Sequence, residues 1–393
     1  MPDLAPEPSS WARFSGRLAT GAVECVDLAV SPERLRAGLW FVVADFEADL
    51  GGGTTGRPGR ARAWRFAHVA DDAARGAAPR EGARRDGTGA GGDGARWVGP
   101  PSDAWRTSLG RGAYQEAVAR VRERVREGDV YQANVCRVLA APLPVADDGA
   151  EPDAAALAAL LAAGNPAPHA AAIHVPAGGV VDPVWVVSAS PELYLALDHD
   201  TLVSGPIKGT ARTPGGLSDK DRAENVMITD LVRNDLQRVC RAGSVEVSDL
   251  LAVERHPGLA HLVSRVRGLL TDDVAAAPDL WWRVLAATFP PGSVSGAPKS
   301  SALRLIAELE PTPRGPYCGA VGWVDGDAGR AELAVGIRTF WWERGAAGTG
   351  TLRFGTGAGI TWGSDPEAEW RETQLKAERL VGLASRPPTD RPA

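Results

Sequence analysis

The chain has 393 residues, of which 44% are hydrophobic and 23% are charged, and its formal net charge is -6. This length allows two or three domains, or one large intertwined α/β body with a substantial core. The composition is that of a globular protein, and the negative charge argues against nucleic acid as a partner.

Residues 1–105 are interpreted as a reduced N-terminal region in which strands such as Leu39–Phe46 alternate with Gly- and Arg-rich segments. The segments at 51–62 and 71–96 have neither a helical nor a strand period, so we predict mobile surface loops there. Their arginines are interleaved with acids and have no aromatic platform, which does not favour an RNA-binding patch.

The N-terminus lacks the positive and apolar regions of a signal peptide, and the alanine-rich run at 154–163 is too short to span a bilayer. We therefore expect a cytoplasmic protein without membrane contact. The four cysteines, Cys25, Cys136, Cys240 and Cys318, are far apart and form no CxxC pair, so ordinary reduced thiols are predicted.

Residues 106–385 are predicted to form the catalytic domain, and residues 386–393 a disordered tail. The segment from Ala113 is typical of an amphipathic helix that ends at Gly128. Strands are predicted for the β-rich runs VVDPVWVVSAS, YLALD, TLVSGPI, AVGWVD, AELAVGIRTFWW and TLRFGTGAGI.

Two predicted helices carry acids that could meet a cation. In the helix at 220–239, Glu224 shares an apolar stripe with Met227, Ile228 and Leu231, so its carboxylate should face the interior. A buried carboxylate must be protonated, paired with a basic residue or bound to a metal, and the pattern leaves these alternatives open.

The second helix begins near Asp365, a suitable N-cap, and places Glu369, Glu372 and Lys376 on one face. Two acids that point the same way suit Mg²⁺, which takes one or two protein carboxylates and completes its shell with water and ligand oxygens. A solvated charged face is the alternative interpretation of the same spacing.

Two glycine-containing loops and two strand ends offer further polar groups. Gly355, Gly357 and Gly359 allow backbone N–H groups to approach an anion. The loop PPGSVSGAPKS does not fit a Walker A motif, but it could direct Ser293 and Ser295 at a carboxylate.

Lys208, at the end of an apolar strand in SGPIKGTART, could be a nucleophile or base, with a surface turn lysine as the alternative. Glu192, in SASPELYLAL, lies where a strand turn could point it into a cleft as a general acid.

In amino-acid sequence and in order along the chain, the segments that carry these residues resemble the chorismate-utilising enzymes. This family includes anthranilate, isochorismate, salicylate and aminodeoxychorismate synthases. The resemblance runs from about Ala113 to Leu383 and is carried by these blocks: GDVYQANV, SASPELYLAL, SGPIKGTARTP, ENVMITDLVRNDLQRV, HPGLAHLVSRVRG, FPPGSVSGAPKSSALRLIAELEP, RGPYCGAVGWVD, GIRTF and GTGAGITWGSDPEAEWRETQLKA. It implies the α+β, chorismate-binding fold of anthranilate synthase component I, with large packed β-sheets and helices outside.

The resemblance also implies roles for single residues. Glu224 and Glu369 match the family's magnesium-binding glutamates, and Glu372 matches a further acidic ligand or water-mediated contact. His261 matches the active-site histidine, beside the catalytic candidates Lys208 and Glu192. Substrate carboxylates are expected to meet residues in three regions: Ser293 and Ser295; Tyr317 and Arg338; Gly357, Ala358, Gly359 and Lys376.

The residues at two positions distinguish the branches of the family. The sequence PIKGT, with Lys208, resembles the aminodeoxychorismate synthases, whereas the other branches usually have alanine there. Gln132 stands where isochorismate and salicylate synthases typically have a water-activating lysine. The resemblance therefore implies amination of chorismate at C4, for 4-aminobenzoate and folate or a related secondary metabolite.

Ammonia is expected from a separate glutamine amidotransferase, because no cysteine of this chain stands in a nucleophile-elbow context. The alternatives are anthranilate synthase component I and a catalytically idle, chorismate-binding scaffold subunit.

Overall fold

The structure is a computed structural model that describes residues 7–51, 53–71, 97–211, 213–256 and 259–386. Most of the predicted loop at 71–96 and of the predicted tail at 386–393 therefore lies outside the described residues. Within the described ranges, none of the helices is both long enough and apolar enough to cross a membrane.

The described part of the chain forms strands at the following positions: β1 Glu7–Phe14, β2 Arg17–Asp27, β3 Leu39–Ala44, β4 Ala61–Asp71, β5 Arg106–Thr107, β6 Gln132–Pro142, β7 His169–Val175, β8 Val184–Ser190, β9 Leu193–Asp198, β10 Thr201–Gly205, β11 Ile207–Ala211, β12 Glu246–His256, β13 Leu259–Leu269, β14 Gly296–Ala297, β15 Ala320–Asp325, β16 Arg330–Val335, β17 Thr339–Arg344 and β18 Gly350–Ile360. Its helices are α1 Arg111–Glu127, α2 Ala154–Gly164, α3 Asp219–Gln237, α4 Asp272–Ala275, α5 Leu280–Thr288, α6 Lys299–Leu309 and α7 Pro366–Ala384.

These strands join into one continuous antiparallel sheet of 18 strands. The path runs β6–β18–β17–β8–β7–β1–β2–β4–β3–β15–β16–β9–β10–β13, with β5 and β14 added to β6, and β11 and β12 added to β13. Helices and an antiparallel sheet of this size confirm the predicted α+β fold class.

The strands of residues 7–71 belong to this same sheet. β1 pairs with β7, and β3 pairs with β15 over six residue pairs, so strands from both sides of the predicted boundary at residue 105 are neighbours. The buried side chains of these strands join the largest hydrophobic cluster, together with those of β9, β16 and α5. The predicted boundary therefore does not separate two sheets.

The helix ends follow local signals in the sequence. Gly128 ends α1 in the left-handed conformation, at φ 84°, as predicted. Ser218 and Asp221 form a capping box at the start of α3. Asp365 accepts a hydrogen bond from Ala368 N at the start of α7, which confirms its predicted role as N-cap.

Several predicted elements differ in detail. Only the second half of VVDPVWVVSAS forms a strand, β8, and AELAVGIRTFWW is divided into β16 and β17 at Gly336–Arg338. The predicted mobile segment at 51–62 is held to the protein, since Arg57 donates to the carbonyls of Ala307 and Glu310, and its last two residues begin β4. Long-range hydrogen bonds, which periodicity does not reveal, fix this segment.

Candidate active site

Lys208 lies in β11 opposite Leu262 of β13, next to a break in the strand register. The following residue, Gly209, has a φ of 78°, and a Cβ on it would lie 2.8 Å from the Cβ of Asp221 in α3. A β-bulge changes the direction of the side chains beside it. The bulge and the close helix together require glycine next to Lys208.

The side chains of Lys208 and Gln132 converge at Gly359. A Cβ on Gly359 would lie 2.7 Å from Nε2 of Gln132 and 3.3 Å from Nζ of Lys208. Gln132 is completely buried, yet neither its Oε1 nor its Nε2 has a hydrogen-bond partner among the described residues. Because an unpartnered buried amide is unfavourable, a ligand that bonded to it would stabilise the site.

The glycine-rich end of β18 presents a free backbone edge. β18 pairs with β17 only as far as Phe354, whereas it pairs with β6 as far as Ile360. Among the described strands, the segment from Gly355 to Ile360, which includes Ala358, therefore has a partner on one side only. Its other edge offers backbone groups to an anionic ligand, as the glycine spacing predicts.

Glu192 follows β8 and is buried beside Ser293, with which its side chain forms a hydrogen bond. Burial raises the pKa of Glu192, although Ser293 and the positive charge of Lys208 oppose this effect. A carboxyl group with a raised pKa stays protonated closer to neutral pH and can donate a proton. This environment fits the predicted general acid.

Glu224 and Glu369 face each other from α3 and α7. The ammonium of Lys220 lies between them, with Nζ 3.2 Å from Oε1 of Glu369 and 3.7 Å from Oε1 of Glu224. Burial raises the pKa of Glu224, against the opposing charges of Lys208 and Lys220. The two carboxylates that were predicted on separate helices therefore share one site.

Glu372 and Lys376 lie on one face of α7, as predicted, and contact each other. Their side chains form an ion pair of 2.6 Å, and Lys376 also donates to the carbonyl of Gly357 at 3.0 Å. Among the described residues, no group of three or more His, Cys, Asp or Glu side chains is arranged to hold a metal ion. The carboxylate of Glu372 is turned to Lys376, and its role as a direct ligand or a water-mediated contact of a metal stays a prediction.

Arg338 lies between β16 and β17 with a φ of 54°, a left-handed conformation that is uncommon for residues other than glycine. Its guanidinium is largely removed from water, which lowers its pKa, and no described residue forms a hydrogen bond or ion pair with it. A desolvated cation without an acidic partner is suited to bind a carboxylate of a ligand.

The remaining predicted residues are buried but differ in what their side chains contact. His261 lies in β13 opposite Thr210 and Glu254. The ring of Tyr317 covers Gly355, where a Cβ would come within 2.0 Å of it. Ser295 differs from the prediction, because its hydroxyl already donates to the carbonyl of Pro291 at 3.0 Å.

Three anchoring residues that sequence patterns did not single out position this site. Asn225 donates to the carbonyl of Leu262 and so fixes α3, with its neighbour Glu224, against β13. Arg137 of β6 donates to Thr373 and stacks on the ring of Trp370, which fixes α7. The third is Arg314.

Arg314 joins three segments of the site. Its guanidinium, only 1% exposed, pairs with Glu310 and donates to the carbonyls of Asn134 and Val294. It therefore ties the end of α6 to β6 and to the loop that carries Ser293.

Replacing Arg314 with methionine is expected to lower the free energy of unfolding by about 3–5 kcal/mol, because Glu310 would be left as an unpaired buried charge. The denaturant midpoint of the purified protein measures this loss. Arg304→Met removes an exposed arginine of α6, the helix whose end Arg314 anchors, and should change stability by no more than about 0.5 kcal/mol. Equal midpoints for the two variants would contradict the anchoring role.

Comparison with known proteins shows which proteins this chain is similar to in sequence. Anthranilate synthase component 1 of Haloarcula marismortui is 38% identical over 289 residues, which are 70% of this chain and 53% of that protein. Aminodeoxychorismate synthase component 1 of Escherichia coli is 35% identical over 289 residues, 70% of this chain and 58% of that protein. The chain thus matches little more than half the length of either relative.

The fold is also that of a solved structure. Anthranilate synthase component I from Streptococcus pneumoniae superposes with a TM-score of 0.66 at 22% identity, over 96% of this chain and 91% of that one. The family model described as chorismate binding enzyme matches residues 97–382, which contain every candidate site residue named above. The chain belongs to the family of chorismate binding enzymes.

Proposed function

We propose that the chain is component I of an aminodeoxychorismate synthase, which converts chorismate and ammonia to 4-amino-4-deoxychorismate. A separate glutamine amidotransferase would supply the ammonia. The observation that carries the proposal is the Nζ of Lys208 at Gly359, beside the unpartnered amide of Gln132. The relatives alone do not determine which product this chain forms from chorismate, since both anthranilate and aminodeoxychorismate synthases match at similar identity.

In the first step of the proposed reaction, the amine of Lys208 forms a bond to C2 of chorismate. Both ring double bonds shift by one position, the C4–O bond breaks, and Glu192 donates a proton so that the hydroxyl leaves as water. The raised pKa of Glu192 supports this role, because it keeps the carboxyl protonated to a higher pH.

In the second step, ammonia forms a bond to C4, both ring double bonds shift back, and the C2–N bond to Lys208 breaks. The proton that ammonia loses returns to Glu192, so the enzyme is restored and the net change is replacement of hydroxyl by amine. Arg338 and the free edge of β18 are suited to hold the carboxylates of chorismate meanwhile.

We also propose that Glu224 and Glu369 bind Mg²⁺. Oε1 of Glu224 is buried without a hydrogen bond, and the shared contact with Lys220 indicates that both carboxylates need a cation. Two protein carboxylates are enough for Mg²⁺, which completes its shell with water and ligand oxygens. A bound Mg²⁺ would supply positive charge for a carboxylate of the substrate.

The product identifies the reaction. Purified protein is incubated with chorismate, Mg²⁺ and ammonium salt at alkaline pH, and the products are separated and identified by mass and retention. We expect 4-amino-4-deoxychorismate. Anthranilate as the product would favour the second candidate, anthranilate synthase component I, which the relative of 38% identity supports. Unchanged chorismate would indicate an idle scaffold subunit.

A further inference from the structure

Lys220 is the basic residue that contacts both of the facing carboxylates, and its two contacts are unequal. Glu369 is 3% exposed and accepts a hydrogen bond from Lys220 at 3.2 Å. Glu224 is 16% exposed, and its Oε1, 3.7 Å away, is within range for charge attraction but not for a hydrogen bond. One ammonium is therefore shared by two carboxylates and forms a hydrogen bond with only one of them.

The position of Lys220 allows it to leave. Its side chain is 52% exposed and belongs to the first turn of α3, so its ammonium reaches the carboxylates from the solvent side. An ion pair with one exposed partner contributes little to stability, because water replaces the contact at small cost. Lys220 can thus turn into solvent without unfolding α3.

The residue type is also informative. Lysine and arginine together number 43 in this chain, but lysine occurs only at Lys208, Lys220, Lys299 and Lys376. An arginine at position 220 would hold carboxylates with a planar fork of several donors, whereas a lysine presents a compact charge on a flexible stem. A lysine at this position therefore suits a contact that can be released.

We propose, on the basis of the Mg²⁺ site proposed above, that Lys220 is a displaceable counter-ion of Glu224 and Glu369. Its ammonium offsets part of the charge of the two carboxylates while no divalent cation is bound, and it moves into solvent when the cation binds. The cation must replace this contact, so Lys220 weakens the intrinsic affinity of the site and prevents mutual repulsion of the carboxylates before binding.

The test is a titration of Mg²⁺ into the full-length protein without chorismate, measured by isothermal titration calorimetry. Lys220→Met removes the charge and is expected to tighten the Mg²⁺ dissociation constant by about fivefold, the change that corresponds to loss of one competing, partly exposed ion contact. Lys220→Arg is expected to weaken binding, because the guanidinium is harder to displace.

Arg222→Met is the matched control. It removes one positive charge from an exposed position of the same helix, and it should leave the dissociation constant within about twofold of the native value. Equal or weaker Mg²⁺ binding by Lys220→Met than by native protein would overturn the proposal. If native protein binds Mg²⁺ no better than Glu369→Gln, the cation site itself is wrong, and Lys220 is not its counter-ion. The product assay is independent of both results.

Discussion

Lys208→Ala is expected to lower the rate of C4 amination of chorismate by at least about 10³-fold, as for loss of a covalent nucleophile. Without the amine, residue 208 cannot form a bond to C2, so nothing displaces the C4 hydroxyl. The neighbouring Gln132 cannot replace it, because a carboxamide is not a nucleophile. Single-turnover reactions with chorismate, Mg²⁺ and ammonium salt, analysed by mass, measure the effect.

Lys208→Arg separates nucleophilic from electrostatic action. Arginine keeps the positive charge near Glu192 and Glu224 but stays protonated, so it cannot attack chorismate. We expect the arginine variant to fail as the alanine variant does. If any product remains with alanine, we expect an amino group at C2, where ammonia can then attack directly. Native-like C4 amination by either variant would refute covalent catalysis by Lys208.

The sequence predicts local structure well where the signal is itself local. Gly128 and Asp365 terminate helices as their residue types require, and β15 forms over the predicted run AVGWVD. The apolar stripe predicted for α3, with Glu224 facing the interior, was less reliable. Its inner face is centred on Asn225, Ile228 and Val232, and Glu224 lies at the rim, because the polar Asn225 is buried through its hydrogen bond to β13. Hydropathy does not register a polar residue whose partner is distant in sequence.

Convergence of the site residues depends on the sheet path rather than on local patterns. Gln132 and Gly359 meet because β6 pairs with β18, and Lys208 reaches them from β11 at the other end of the path. Spacing alone left Lys208 open as a surface turn lysine, and only the resemblance to the family brought these positions together. Lys220, which neither approach identified, becomes visible only once α3 and α7 are seen to face each other.

Glu192→Gln is expected to slow C4 amination by about 10²–10⁴-fold, the usual contribution of a general acid. The amide keeps the shape of the side chain but cannot protonate the leaving hydroxyl. Because burial raises the pKa of Glu192, the native rate should fall as pH rises through that raised pKa. This limb should be absent from the pH profile of the variant, which single-turnover rates across the pH range would reveal.

The substitution Glu192→Gln should not lower stability as it lowers the rate. A raised folded-state pKa means that the native state is penalised once Glu192 ionises, so at pH 8 the glutamine variant should be at least as stable as the native protein. Below about pH 4.3, the pKa of an unfolded glutamate, the carboxyl is protonated in both states and the difference should vanish. Denaturant midpoints at pH 8 and pH 4 measure both cases. A folded glutamine variant that aminates chorismate at the native rate, or whose pH profile keeps the alkaline limb, would remove Glu192 from the proposed mechanism, since the buried carboxyl costs stability at the pH where it has ionised and can no longer donate a proton.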